Sequence, residues 1–232
     1  MAETERTIKA FVDELTRDDH NSYYYLSGKI GEVMASRAYR KGDLCSAIAK
    51  INADHIYISC NGFTSPEAGR KSQNVRQIHG IFCDLDCHTG SSEERASAIA
   101  QGLVAIKSAI HSGILLEPTM IVHTGRGVQL YFLYAKSIPT KKTDGSTFNV
   151  GLQKHAYFQK IIYNTLETIL DGTSLEVDPL CKDVTRLVRV AGTVNAKTGT
   201  EAYIIELSGK RYTFADLQDL PILELSKGGQ KM

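Results

Sequence analysis

Two acidic residues at the end of an apolar run, Asp84 and Asp86 in "GIFCDLDCHTG", are the first candidates for chemistry in this sequence. If the run is a β-strand its side chains alternate, so both carboxylates leave one face while Cys83, Leu85 and Cys87 leave the other. Carboxylates this close repel each other, and keeping both ionised is costly unless a cation or a shared proton neutralises them. A divalent metal ion is the obvious partner. Phosphate chemistry with two ions about 3.5–4 Å apart asks for a further carboxylate from elsewhere in the chain. Asp178 in "LEVDP" follows a turn and precedes a strand, a position from which it can approach the same sheet face; the competing reading is that Asp178-Pro179 only builds a turn.

Cationic and amide donors cluster in "TRLVRVAGTVNAKTG". Arg186 and Arg189 form an R-x-x-R pair, with Asn195 and Lys197 in the loop that follows, a set suited to phosphate oxygens. Each arginine alone reads equally as a solvated edge residue or as the partner of Asp183 or Glu176. In "HTGRGVQ", Gly125 and Gly127 around Arg126 allow a close approach of backbone to a ligand, or simply a hairpin turn, and His123 and Gln129 flank them.

These residues need a scaffold. Apolar residues at helical spacing predict helices in "TIKAFVDELTR" and "GDLCSAIAKINA", two short helices ahead of a first strand at "HIYISCN". A polar, basic loop, "GFTSPEAGRKSQNVRQ", leads into the strand with the two aspartates. A long helix from about Ser92 to His111 follows, opened by a Ser91/Glu94 capping box and closed at Gly113. "PTMIVHTGRGVQLYFLY" reads as a hairpin, "LQKHAYFQKIIYNTLETIL" as a helix, and "EAYIIEL" as a last strand. The order strand-helix-hairpin-helix-strand predicts an α+β fold with an RRM-like (ferredoxin-like) sheet, helices on one face and the aspartates on the other.

Composition excludes more than it identifies. The 232 residues are 42% hydrophobic, enough for a core, and the net charge of +1 announces neither a nucleic-acid nor a membrane partner. No apolar run approaches the ~20 residues of a membrane span, so no membrane is expected. The five cysteines, in a chain opening "MAETERTIKAF" without a secretory signal, read as reduced thiols of a cytoplasmic protein. "CDLDCH" admits a zinc site through Cys83, Cys87 and His88, but no second ligand pair follows, and the strand geometry sends the cysteines to the core.

In this order the pieces resemble the archaeo-eukaryotic primase superfamily, in particular the primase-polymerase domains of plasmid, phage and integrated-element replication proteins. The family's acidic D-x-D is matched by Asp84-Leu85-Asp86, and its glycine turn with a polar strand position, commonly S-x-H, by Gly127-Val128-Gln129. Its later acidic residue is matched by Asp178, and a D-x-T-R-x-x-R-x-P-G-T-x-N-x-K run by "DVTRLVRVAGTVNAK", with Ala191 in place of proline. The resemblance runs from Ile56 to Glu206. It implies an N-terminal α/β module over residues 1–75, a catalytic module over 76–225 and a tail at 226–232.

It further implies Asp84, Asp86 and Asp178 as catalytic ligands of two Mg²⁺ or Mn²⁺ ions. Gly125, Arg126, Gly127, Gln129, Arg186, Arg189, Asn195 and Lys197 would bind the nucleotide. The activity implied is templated nucleotidyl transfer, primer synthesis or extension, in replication of a mobile element. The implied partners are a single-stranded DNA template, NTP or dNTP, and a helicase or C-terminal helical primase domain. Gln129 departs from the histidine held to contact the nucleotide's phosphates, since an amide donates a hydrogen bond but carries no charge. Two alternatives stand beside this reading: a non-catalytic nucleic-acid-binding module on a primase-like fold, and a phosphatase of the haloacid dehalogenase type suggested by "DLDCHTG".

Overall fold

A computed structural model describes residues 2–19, 21–88, 90–141, 146–147 and 149–221; the proposed tail at 226–232 lies outside them. Helix α1 (Glu3–Leu15) buries Ile8, Phe11, Val12 and Leu15, the stripe its spacing predicts. It is followed by an antiparallel hairpin of β1 (Tyr23–Ile30) and β2 (Val33–Arg40), then α2 (Leu44–Lys50), β3 (His55–Ser59) and β4 (Gly62–Phe63). The β1–β2 hairpin corrects the expectation that only helices precede "HIYISCN". Its strands carry Ser, Gly and Ala, and β2 lies at a sheet edge with most side chains exposed, so no buried alternation marks it.

The 13-residue β5 (Val75–Cys87) carries the two aspartates. After it come α3 (Ser92–His111), β6 (Met120–His123), β7 (Gly127–Pro139), α4 (Asn149–Ile169), β8 (Leu175–Val177) and β9 (Leu187–Arg189). The ribbon β10 (Val194–Asn195) and β11 (Thr200–Glu201), β12 (Tyr203–Leu207) and α5 (Phe214–Gln218) complete the described elements. The predicted capping box is present: Glu94 N–H donates to the Ser91 hydroxyl, and the Ser91 N–H donates to the Glu94 carboxylate.

One sheet runs β12-β6-β7-β5-β4-β1-β3-β9, with β2 added to β1 and β8 added to β5. Within it, β6, β7, β5 and β8 lie side by side, all antiparallel, and are joined through α3 and α4 as the expected ferredoxin-like unit. Strand β5 is long enough to do two jobs. Its first half pairs with β4 and its last three residues pair with β8.

Helices cover both faces of this sheet. Cys83, Leu85 and Cys87 pack with Ile99 and Ile106 of α3 and with Phe158, Ile162 and Leu166 of α4. On the opposite face Phe82, Met120, Val122, Tyr131 and Leu133 pack with Phe11 and Leu15 of α1 and Leu44 and Ile48 of α2. The expectation of one helical face therefore needs correcting: α1 and α2 cover the aspartate face as far as Phe82. Only the strand ends beyond it stay open, because there the face turns from phenylalanine to Asp84 and Asp86. Among the described residues no helix is long and apolar enough to cross a membrane.

Two histidines are buried without a charge to spare. His79 bonds the Tyr24 hydroxyl at 2.8 Å and the Ser137 hydroxyl at 2.7 Å, and His155 bonds the Tyr134 hydroxyl at 2.9 Å. Burial pushes each imidazole down to about 4. The unfolded chain protonates both near pH 6.5, so it takes up protons first, and stability falls as pH drops from about 6.5 to about 4, then levels. Urea unfolding across that window is expected to show a loss, on the order of 3 kcal/mol from His155, and a smaller slope in His155→Gln.

Candidate active site

The site is assembled where β5 ends. Register places Asp84 opposite Gln129 and Asp86 opposite Gly127 on β7, while β8 sets Glu176 opposite Asp86. Two residues after Glu176, the Asp178 N–H donates to the Asp84 carbonyl at 2.8 Å, so the third acid is stitched to the first through backbone. Asp178 builds the expected turn and also turns a carboxylate oxygen to Arg186. One carboxylate oxygen accepts from Leu180 N–H at 2.8 Å and caps the 3₁₀ turn Pro179–Lys182; the other receives Arg186.

Arg186 stands between the acids. Its Nη2 reaches Asp84 Oδ2 at 3.4 Å and also bonds Asp178 Oδ2, so its partners are neither Asp183 nor Glu176. The "DVTR" run explains its aim: the Asp183 carboxylate accepts from Thr185 N–H at 2.8 Å, and Arg186 N–H donates to the Asp183 carbonyl at 3.0 Å. This turn throws the next side chain toward β5. The pairing is incomplete, since Arg186 Nε is buried without a partner among the described residues. Burial, then the Asp86 charge, lifts the Asp84 carboxyl to about 6, even though Arg186 and a Gln129 hydrogen bond pull it back.

A cleft of about 510 Å³ opens over Asp84, Asp86 and Arg186; Asp178 is not among its lining residues. Asp84 and Asp86 line it, facing Arg126, Arg186, Arg189 and Lys197, with Gln129 and Asn195 also on its wall. Arg189 is 5% exposed and stacks on Tyr57; its Nη2 donates to Tyr57 Oη at 2.9 Å and lies 3.3 Å from His55 Nδ1. Its Nη1 is buried with no hydrogen-bond partner among the described residues. Asn195 differs. Its amide donates to the Thr124 carbonyl at 2.8 Å and its carbonyl accepts from Lys197 N–H at 3.2 Å, so it ties the Lys197 loop to the hairpin.

The glycines too answer to packing. A Cβ on Gly127 would lie 1.9 Å from the Leu85 carbonyl oxygen, which forces the close β5–β7 crossing to use glycine. Gly125 has φ +96, and a Cβ there would meet Thr198 and Asn195. Sequence reading missed Tyr57, Thr124 and Met34 in the cleft wall, and Tyr131 behind it. Arg70, from the basic loop, also lines the cleft and donates to the Thr185 carbonyl. None of these carries a local motif.

The donor chemistry fits a hard divalent ion: the acids offer carboxylate oxygens alone, the ligand type of Mg²⁺ and Mn²⁺. Asp84, poorly compensated by a single shared guanidinium, has room for further positive charge. Among the described residues no three His, Cys, Asp or Glu side chains already converge as a metal cage, zinc included. Arg186 lies where Asp84 and Asp178 would have to meet.

No family model matches the chain. By sequence it is similar to a replication protein of Clostridium perfringens, 25% identical over 167 residues that make up 72% of this chain and 35% of that protein. Protein RepS of Streptococcus pyogenes is 30% identical over 151 residues, 65% of this chain and 26% of that one. The chain thus spans only about a quarter to a third of these relatives. In structure it is similar to the AEP domain of the cyanophage S-2L primase-polymerase, at TM-score 0.61 and 16% identity, over 93% of this chain and 98% of that one. The catalytic domain of primase RepB′, solved in complex with initiator DNA, matches at TM-score 0.51 and 17% identity, over 94% and 93%.

Proposed function

We propose, on the premise that this chain has the fold of archaeo-eukaryotic primase-polymerase catalytic domains, that it transfers nucleotides onto a growing strand along a single-stranded DNA template. The fold and the replication-protein relatives support a primase-like role in replication of a mobile element. The observation that carries the reading is one cleft lined by Asp84 and Asp86 together with Arg126, Arg186, Arg189 and Lys197. An incoming triphosphate needs both.

Asp84, Asp86 and Asp178 would hold two Mg²⁺ or Mn²⁺ ions. When bound, the ions supply Lewis-acid charge at the α-phosphate and lower the pKa of the attacking 3′-hydroxyl. The chain's own residues do the rest. Arg189, with Arg126 and Lys197, would neutralise the β- and γ-phosphates, a charge arrangement that favours the leaving pyrophosphate. Arg186 would leave its two carboxylates as ions bind and turn to the phosphates. Arg37 and Arg40 of β2, the latter 3.8 Å over the Tyr23 ring, would guide the template backbone. A helicase or a helical primase domain would be its partner for initiation.

The antiparallel neighbours of β5 set it apart from the parallel sheets whose strand ends carry phosphatase sites, which favours the polymerase over the hydrolase. Incubation with a generic phosphomonoester and, separately, with labelled nucleotides on single-stranded DNA tests the choice. Incorporation without hydrolysis is expected; hydrolysis without incorporation overturns the reading.

A further inference from the structure

Asp84 is held from the side as well as by Arg186. Its register partner Gln129 lies on the same face of the neighbouring strand, beside the Asp84 carboxylate, and its side chain favours the ionised form of that acid. Gln129 is buried, and its Oε1 accepts from the Tyr131 hydroxyl at 2.9 Å. An amide by itself has no fixed end, and turned over it would aim a carbonyl at a carboxylate and repel it. Tyr131 removes that freedom. Its ring is fully buried, met edge-on by Phe11 of α1 at 5.9 Å and Phe82 of β5 at 5.5 Å.

Among the described residues Gln129 Oε1 is the acceptor this hydroxyl bonds, while the ring packs in the cluster that holds Met120, Val122 and Leu133. Burial holds the phenol protonated, so it donates. A Tyr131 that donates leaves Gln129 one orientation, amide toward Asp84. We propose that Tyr131 is a positioning residue for the metal site, fixing through Gln129 which end of the amide faces Asp84 and so aiming that carboxylate into the cleft. The inference rests on the metal reading above. It gives Gln129 the work of orienting a metal ligand, where the resemblance implies a nucleotide contact.

Mn²⁺ binding, measured from the free-ion electron paramagnetic resonance signal, tests it without any turnover. Tyr131→Phe is expected to weaken Mn²⁺ about tenfold, the scale of losing a group that orients a metal ligand. Gln129→Met, nearly isosteric and without the amide, should lose at least as much, and the double variant no more than Gln129→Met alone, because the effect passes through the amide. Tyr134→Phe removes an equally buried hydroxyl, bonded to His155, and should leave Mn²⁺ affinity unchanged. Should Tyr131→Phe fail to fold, Gln129→Met gives the same readout. Wild-type affinity in Tyr131→Phe or Gln129→Met, or additive losses in the double variant, overturns the inference alone. A wild-type protein that binds no Mn²⁺ overturns the metal reading, and this with it.

Discussion

Asp84→Asn/Asp86→Asn is expected to abolish nucleotide incorporation, by about 10³-fold or more, while the protein folds at least as well as the wild type. The loss follows from removing two of the three oxygen-donor side chains proposed for the ions, whose charge stabilisation amounts to several kcal/mol in such reactions. The gain in stability follows from the electrostatics of the empty cleft. Burial and the Asp86 charge hold Asp84 at about 6, above the ordinary carboxylate value near 4. A carboxyl raised in the folded state is protonated in both states below about pH 4, and costs stability as pH rises through 6. Asparagine removes that cost while Arg186 keeps Asp178. In metal-free buffer the variant should therefore match the wild type near pH 4 and exceed it at pH 7–8 by on the order of 1–2 kcal/mol, read from urea unfolding at each pH. Lower stability at pH 8 would mean that the acids hold the fold together.

Arg186→Ala is expected to act in the opposite sense on stability and in the same sense on activity. Removing the guanidinium strands Asp84 and Asp178 beside each other, and breaking a partly buried pair should cost about 2 kcal/mol in metal-free buffer at neutral pH. Divalent ions then meet no competitor for the same oxygens. Mn²⁺ should raise the melting temperature of the variant more than that of the wild type, since a ligand that binds only the folded state stabilises it according to its affinity. Incorporation should still fall about 10²-fold or more, the scale of losing one preorganised charge donor at a transferring group. Thermal melts with EDTA and with Mn²⁺, beside an incorporation assay, separate the two effects. An equal Mn²⁺ shift in both proteins would rule out competition between Arg186 and the ion.

Much of this arrangement was legible in the sequence, and the limits have physical causes. Asp84 and Asp86 share a face because a strand alternates, and the helices at Ser92–His111 and Asn149–Ile169 declared themselves by apolar spacing, the first also by its cap. The β1–β2 hairpin did not, because an exposed edge strand has no buried face to impose a pattern. Nor was the meeting of Arg186 with Asp84, 102 positions apart, written in either segment; it depends on β8 pairing with the end of β5. Gly127 and Asn195 suited phosphate binding by type, but a strand crossing and a loop-to-hairpin hydrogen bond already account for both. Nothing in the sequence singles out Tyr131. Its hydroxyl gains meaning only from the Gln129 amide two residues away on the same face.

The central claim is templated nucleotidyl transfer in the cleft between the acids and the arginines. The most direct test offers the wild-type protein a single-stranded DNA of defined sequence with one labelled nucleotide at a time and Mg²⁺ or Mn²⁺, with and without an annealed primer. Incorporation only of the nucleotide complementary to the template, and only with metal present, is the predicted result; product without primer would extend it to initiation. DNA bound under every condition with nothing incorporated would contradict the account and leave a nucleic-acid-binding module on a primase-like fold.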